Sequence, residues 1–526
     1  MHFDFKSYYC IDFNLEGEKL KKTLFIKNAA ILTVTSVILR FIGIIFKIWL
    51  AKLIGSEGIG LHQLIFSVYM LVTTFAASGI CTAVTRLVAE EIAVGTNKGC
   101  LKILRHSVEL SLIIAFVSAV AVFFGADFIA NGILGDSRAN IALKILPVSL
   151  PFMAISSCIR GYFIARRNVT PSSIAQIFEQ IVRIIIIVGL VKAFSDKGLA
   201  VCCAAVIGGD VISEIFGTVL LFLSFASDSK KLENLKGRPR PDYPIVRKIL
   251  NISAPITSGR YLNTLLRTAE NILVPKNLAK YHLSSENALS QFGMIKGMAL
   301  PVLFFPSALL NSVSTLLIPE ISQAIAKNQN YLVKSTTRNI LKLTLITSYI
   351  FTAIFFTNGI EIGELIYNDN QVGFLLRALS PIIPFMYLDS ISDGILKGLD
   401  QQLFSFRTAI SDSVIRIILI LFFVSRTGLN GFIIIMYFSN FFTCFLNVKR
   451  LLKLTSSKLK IINEILIPLI SAFFSVYITE FLLVFINLKT PVIHTILISL
   501  ISLSIYIALL FISGSIEKDD ILNLIH

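Results

Sequence analysis

Charge is scarce in this chain. Only 15% of its 526 residues are Asp, Glu, Lys or Arg, against 55% hydrophobic residues and a mean hydropathy of +0.78. That balance excludes a soluble multidomain protein, which could not keep so much apolar surface from water. Histidine is rare too: six residues, scattered without metal-ligand spacing. The seven cysteines (Cys10, Cys81, Cys100, Cys158, Cys202, Cys203, Cys444) show no ligand spacing either. The adjacent Cys202 and Cys203 lie in an apolar run and read as helix packing rather than redox chemistry. There is no phosphate-cradling glycine loop and no nucleophile motif. A membrane glycosyltransferase would show a large polar outer loop, and none is present. The sequence therefore favours neither an enzyme nor a cofactor. The first 22 residues lack the apolar core of a signal peptide and read as a cytosolic extension.

What the chain has in abundance is apolar runs of membrane-crossing length, roughly 20 residues each. Fourteen are discernible, beginning with 26–50 and 61–92 and ending with 461–486 and 491–513. The expected fold is an all-α polytopic membrane protein. Its expected parts are a cytosolic extension (1–25), an N-lobe of six spans (26–226), a basic cytoplasmic linker (227–247), a C-lobe of six spans (248–448), two further spans (461–513) and a cytosolic tail (514–526). With the N-terminus inside, Lys and Arg in inner segments outnumber those in outer segments roughly threefold. The basic run from Lys230 through Lys236, Arg238 and Arg240 to Lys248 is the largest contribution. The net charge of +16 is thus accounted for by topology, without nucleic acid, and both termini are expected in the cytoplasm.

The two lobes are related. PFMAISSCIRGYFIARRNVTPSSIAQIFEQIVRII, from Pro151, lies without gaps on PFMYLDSISDGILKGLDQQLFSFRTAISDSVIRII, from Pro384. That shift of 233 superimposes Glu179 on Asp412 and Arg183 on Arg416. A shift of 229 places Glu91 on Glu320. Even numbers of spans give two copies the same orientation, with a pseudo-two-fold axis along the membrane normal and a substrate site between the lobes.

The first helix of each lobe carries a costly pattern. Arg40 and Lys47 interrupt LRFIGIIFKIWLAKLIG, and a shift of 220 places them on Arg260 and Arg267. Seven residues span two helical turns, so each pair shares one face. A cation at the bilayer centre costs at least ~2.5–3.5 kcal/mol and normally faces a bundle interior or a water-filled cavity. Lys47, near the end of its span, also has the option of snorkelling to the outer interface. Lys296 adds a cation at similar depth and has Glu270 as an alternative partner. Arg183 and Arg416 each follow an acid by four residues, the spacing of a self-neutralising pair that would fix or gate the lobe. An electropositive cavity suits an anion, phosphate or pyrophosphate above all. It disfavours a cationic drug, whose site would need an unpaired carboxylate; Glu270 is the one candidate coupling acid.

These residues also support a resemblance. LRFIGIIFKIWLAKLIGSEGIGLHQLIFSVYM, SGICTAVTRLVAEE, AISSCIRGYF and IFEQIVR resemble the stage V sporulation protein B family, which stands with the MurJ-like and Wzx-like flippases of the multidrug/oligosaccharidyl-lipid/polysaccharide (MOP) exporter superfamily. The resemblance runs from about Leu24 to beyond Arg416. It implies fourteen helices in two lobes in a bacterial plasma membrane. It implies alternating-access translocation of an undecaprenyl-pyrophosphate-linked saccharide, lipid II foremost, for peptidoglycan or spore cortex. Arg40 and Lys296 take the positions of the relatives' cavity cations. A second first-helix arginine would fall on Phe46, and the relatives' basic residue in span 2 has no counterpart in YMLVTTFAASG. The last two spans are implied to flank a groove for the prenyl tail. Membrane lipids, cell-wall synthesis proteins and a monomeric state complete the expectation. A multidrug or metabolite antiporter and a non-transporting scaffold are the alternative readings.

Overall fold

In the computed structural model, the residues described are 15–94, 97–233, 244–281, 284–307, 329–484 and 491–515, with isolated positions between 308 and 328. Among them every regular element is helical. The first lobe comprises α1 (Leu15–Val94), α2 (Asn97–Phe128), α3 (Ala139–Ile145), α4 (Ser149–Ala165), α5 (Thr170–Phe194) and α6 (Leu199–Glu233). The second comprises α7 (Ile245–Lys280), α8 (Ser285–Gly293), α9 (Leu300–Phe304), α10 (Asn330–Tyr367), α11 (Asn370–Leu379), α12 (Ile383–Gly398), α13 (Gln402–Leu419) and α14 (Ser425–Thr455). The last two helices are α15 (Ile467–Val484) and α16 (Pro491–Ile512).

Ten described stretches are long and apolar enough to cross a membrane. Fourteen is not reached on that measure, for identifiable reasons. Runs 26–50 and 61–92 share α1, broken only at Gly55, whose φ of 71° is open to glycine without strain. Gly428, with φ 60°, likewise divides the stretch Gln402–Thr455 from within α14. Helix α7, with its arginines, is too polar to qualify. The run 287–322, with Glu320, extends outside the described residues, as do residues 234–243 of the basic linker.

The backbone repeats as the sequence does. Helix-ending left-handed conformations occur at Gly135 (φ 77°) and Asn368 (φ 56°), and again at Arg167 (φ 54°) and Asp400 (φ 57°). Both pairs are 233 positions apart. A left-handed residue closes a helix by letting the chain turn back on its last carbonyls. Equivalent turns have therefore kept the same left-handed conformation despite different side chains.

The lobes meet closely along one seam. A Cβ on Gly293 would lie 2.0 Å from the Ser56 carbonyl oxygen, and one on Gly60 would lie 2.2 Å from the Leu289 carbonyl oxygen. Small residues are what allow two membrane helices this approach. The Ser56 and Ser290 hydroxyls, 2.6 Å apart, add a hydrogen bond across the same seam. Further along, the Thr268 hydroxyl donates to the Ser67 carbonyl at 3.1 Å and the Asn271 amide to the Ser67 hydroxyl at 2.9 Å.

Candidate functional site

Helical geometry separates the polar faces of the two lobe-initiating helices from their lipid-compatible ones. At about 100° per residue, Thr33, Ser36, Arg40, Gly43 and Lys47 form one stripe along the first half of α1. Ser36, Arg40 and Lys47 are exposed. Val34, Ile38, Phe41 and Ile45 are exposed as well, but they lie roughly 150° around the helix. Helix α7 is built the same way. Arg260 and Arg267 are exposed, with Asn263 half-buried between them. Exposed Ala254, Leu262 and Leu265 occupy the opposite side. Each helix thus carries two exposed faces, one apolar and one cationic. Among the described residues, Arg40, Lys47 and Arg267 form no ion pair.

The other embedded cations are compensated. Lys296 Nζ donates to Glu270 Oε1 at 2.9 Å, and Arg416 Nη1 donates to the same oxygen at 3.2 Å. Arg416 Nη2 also donates to Asp412 Oδ2 at 2.7 Å and to the Ser439 hydroxyl at 2.5 Å; Ser439 in turn donates to Asp412 Oδ1 at 2.5 Å. Lys296, read from sequence as a fifth cavity cation, thus belongs to a buried network joining α7, the turn after α8, α13 and α14. Glu270, read as a candidate unpaired coupling acid, is held by two cations and is 3% exposed. The Lys296–Glu270 contact is the alternative partnering named from the sequence; the bond from Arg416, 146 positions from Glu270, is the one that spacing could not reveal.

The N-lobe holds a counterpart. Arg183 Nη2 donates to Glu179 Oε1 at 2.6 Å and its Nη1 to Gln180 Oε1 at 2.9 Å, while Arg160 Nη2 donates to Glu179 Oε2 at 3.3 Å. Asp210 lies 3.1 Å from Arg183 Nε. Glu214 accepts from the Ser156 hydroxyl at 3.1 Å. Arg160, Asp210, Glu214 and Ser439 were not singled out from sequence. One signal was present: the ungapped repeat sets Ser156 against Asp389, a polar position in both copies.

Outside these clusters, Arg138 clasps the first lobe's turns, 2.7 Å from both Glu57 and Asp136. Burial alone would raise the Asp136 pKa, but its hydrogen bonds from Arg138 outweigh burial and leave it below the ordinary value. An open groove of about 560 Å³ runs between α10 and α15, lined by Phe473, Phe474 and Tyr477 with Thr357 and Glu480. The six described cysteines are free, and no three His, Cys, Asp or Glu residues among the described residues are grouped to hold a metal.

Two repeated helical lobes define a polytopic membrane protein of the MOP transporter fold. The chain belongs to the polysaccharide biosynthesis protein family, whose model matches residues 25–323. It is 26% identical to stage V sporulation protein B of Bacillus subtilis over 72% of this chain and 74% of that one. It is 21% identical to the lipid II flippase MurJ of the same organism, over 75% of this chain and 76% of that one. The solved structure of lipid II flippase MurJ in an inward closed conformation superimposes with a TM-score of 0.68 at 16% identity, covering 90% of this chain and 97% of that one.

Proposed function

We propose that this protein is a flippase moving an isoprenoid-pyrophosphate-linked saccharide, lipid II being the leading candidate, across a bacterial plasma membrane with both termini cytoplasmic. The observation that carries the reading is the pair of cationic stripes. Arg40 and Lys47 on α1, with Arg260 and Arg267 on α7, lie on exposed faces turned away from each helix's exposed apolar face, which supports reading those faces as the lining of a polar cleft. A pyrophosphate supplies the multiple acceptor oxygens that such cations recognise, and guanidinium groups bind it in a forked geometry. The names of the relatives and the family point to the same substrate class.

In this mechanism the headgroup enters the cleft, and its pyrophosphate replaces water around Arg40 and Arg267 and also engages Arg260. The isoprenoid tail stays in the bilayer, with the α10–α15 groove as its path. The lobes then rock about the glycine seam at Gly60 and Gly293 to open the other side. The paired networks keep each lobe rigid while this happens. An inside-negative potential assists export of an anion by ~2.3 kcal/mol per charge per 100 mV. Glu270, held by two cations, is not itself the unpaired acid that a cationic-drug antiporter would need.

Complementation of a lipid II flippase depletion tests the proposal. The well-expressed chain is expected to restore growth, and Arg40→Ala and Arg260→Ala to abolish the rescue. Failure of the wild-type chain to rescue contradicts the substrate assignment. Rescue unaffected by both substitutions removes their role in the cleft.

A further inference from the structure

The contact between Ser156 on α4 and Glu214 on α6 has a repeat-related copy. Shifting both positions by 233 leads to Asp389 on α12 and Asn447 on α14, where Asn447 Nδ2 donates to Asp389 Oδ1 at 2.8 Å. Each lobe thus places one carboxyl in the same interhelical contact, and each carboxyl is held by a neutral partner. The acid has changed sides: α6 supplies it in the first lobe and α12 in the second.

The surrounding charges do not neutralise either group by pairing. Glu214 is faced by Arg160 of α4, Glu179 and Arg183 of α5, Tyr69 of α1 and, on its own helix, Asp210. The two arginines engage Glu179 and Asp210, so three acids share two cations. Asp389 is faced by Asp412 of α13 and by Thr443, Cys444 and Asn447 of α14, with Asp393 on its own helix. Lys397 pairs with Asp393 at 2.5 Å, and Arg416 with Asp412 and Glu270. Neither Glu214 nor Asp389 has a cation within ion-pair distance among the described residues. An ionised carboxylate left without one inside a membrane protein is costly, and the cheapest remedy is a proton.

We propose that Glu214 and Asp389 are a repeat-related pair of proton-binding sites, one per lobe. A metal cation is the poorer occupant: alkali and alkaline-earth ions need about six oxygen ligands. Each contact offers a single carboxylate, and beside Glu214 two guanidinium groups would repel the ion. Arg160, Arg183 and Asp210 keep part of their side chains exposed, which gives a proton access to the N-lobe site. The inference stands on the two lobes' charges and needs no particular lipid substrate.

Infrared difference spectroscopy on the full chain in lipid vesicles, titrated from about pH 5 to about pH 9, reads protonated carboxyls directly. Glu214→Gln and Asp389→Asn are each expected to remove about half of the carboxyl signal that titrates in this range, and the double variant nearly all of it. An unchanged signal in either single variant overturns the pair. Ser156→Ala removes a donor that favours ionised Glu214, so it should move that component upward by about half a pH unit at unchanged amplitude. An unmoved component contradicts the assignment to Glu214. Sodium added at fixed pH should leave the signal intact. Its displacement by sodium would identify a metal-cation site and overturn the proton reading.

Discussion

The two lobes share a backbone plan but balance their buried charge differently. In the C-lobe, Glu270 is the hinge of the network, accepting from both Lys296 and Arg416. Its neighbours are matched: two acids, Glu270 and Asp412, against two cations. The spare acid, Asp389, contacts α14 at Asn447, about 12 Å along the helix from Ser439. In the N-lobe the spare acid lies within the network itself, because Glu214 faces the same arginines that Glu179 and Asp210 engage. Repeat symmetry has therefore preserved where polar groups sit but not which group carries the charge. In the C-lobe the network itself is matched and the spare acid stands beside it, whereas in the N-lobe the spare acid lies among the arginines of the network.

Removing a hinge acid should expose that difference. Glu270→Ala leaves Lys296 with no carboxylate partner and Arg416 with Asp412 alone. Breaking a buried pair from one side costs ~3–5 kcal/mol. Thermal unfolding of the detergent-solubilised chain should show a large fall in midpoint. Glu179→Ala should cost clearly less in the same assay, because Glu214 can ionise beside Arg160 and restore the balance. Equal losses would show that the N-lobe has no such reserve. Arg138→Ala should have the smallest effect, under about 1 kcal/mol, because that clasp is partly solvated and remote from both networks.

Much of the architecture was legible in the sequence. Apolar run length predicted a polytopic helical protein, and the ungapped match at Pro151 and Pro384 predicted two repeated lobes. The i,i+4 spacing anticipated the contacts of Arg183 with Glu179 and of Arg416 with Asp412. Legibility ended where partners come from distant helices. Lys296 was read as a cleft cation with Glu270 as its alternative partner, and the structure has that pairing; the second cation on Glu270, Arg416, comes from a distant helix and was not foreseen. Gly55 was hidden within what looked like a short outer loop, since apolarity reports burial and not the φ that breaks a helix. Arg40, Lys47, Arg260 and Arg267 are the reverse case. Their seven-residue spacing defines a face, and helical geometry alone places that face opposite the apolar one.

The division between the buried network cations and the cations of the two exposed stripes is the centre of the account. It is tested most directly by flipping of a fluorescent undecaprenyl-pyrophosphate-linked saccharide in proteoliposomes, comparing wild type with Arg40→Ala, Arg267→Ala and the exposed control Arg105→Ala. Losing charge-assisted bonds to an anion is worth roughly 1.5–3 kcal/mol, so each cleft variant should flip the lipid about tenfold more slowly or worse. The control should match wild type. Equal rates in all four proteins would contradict the assignment of the cationic stripes to the headgroup.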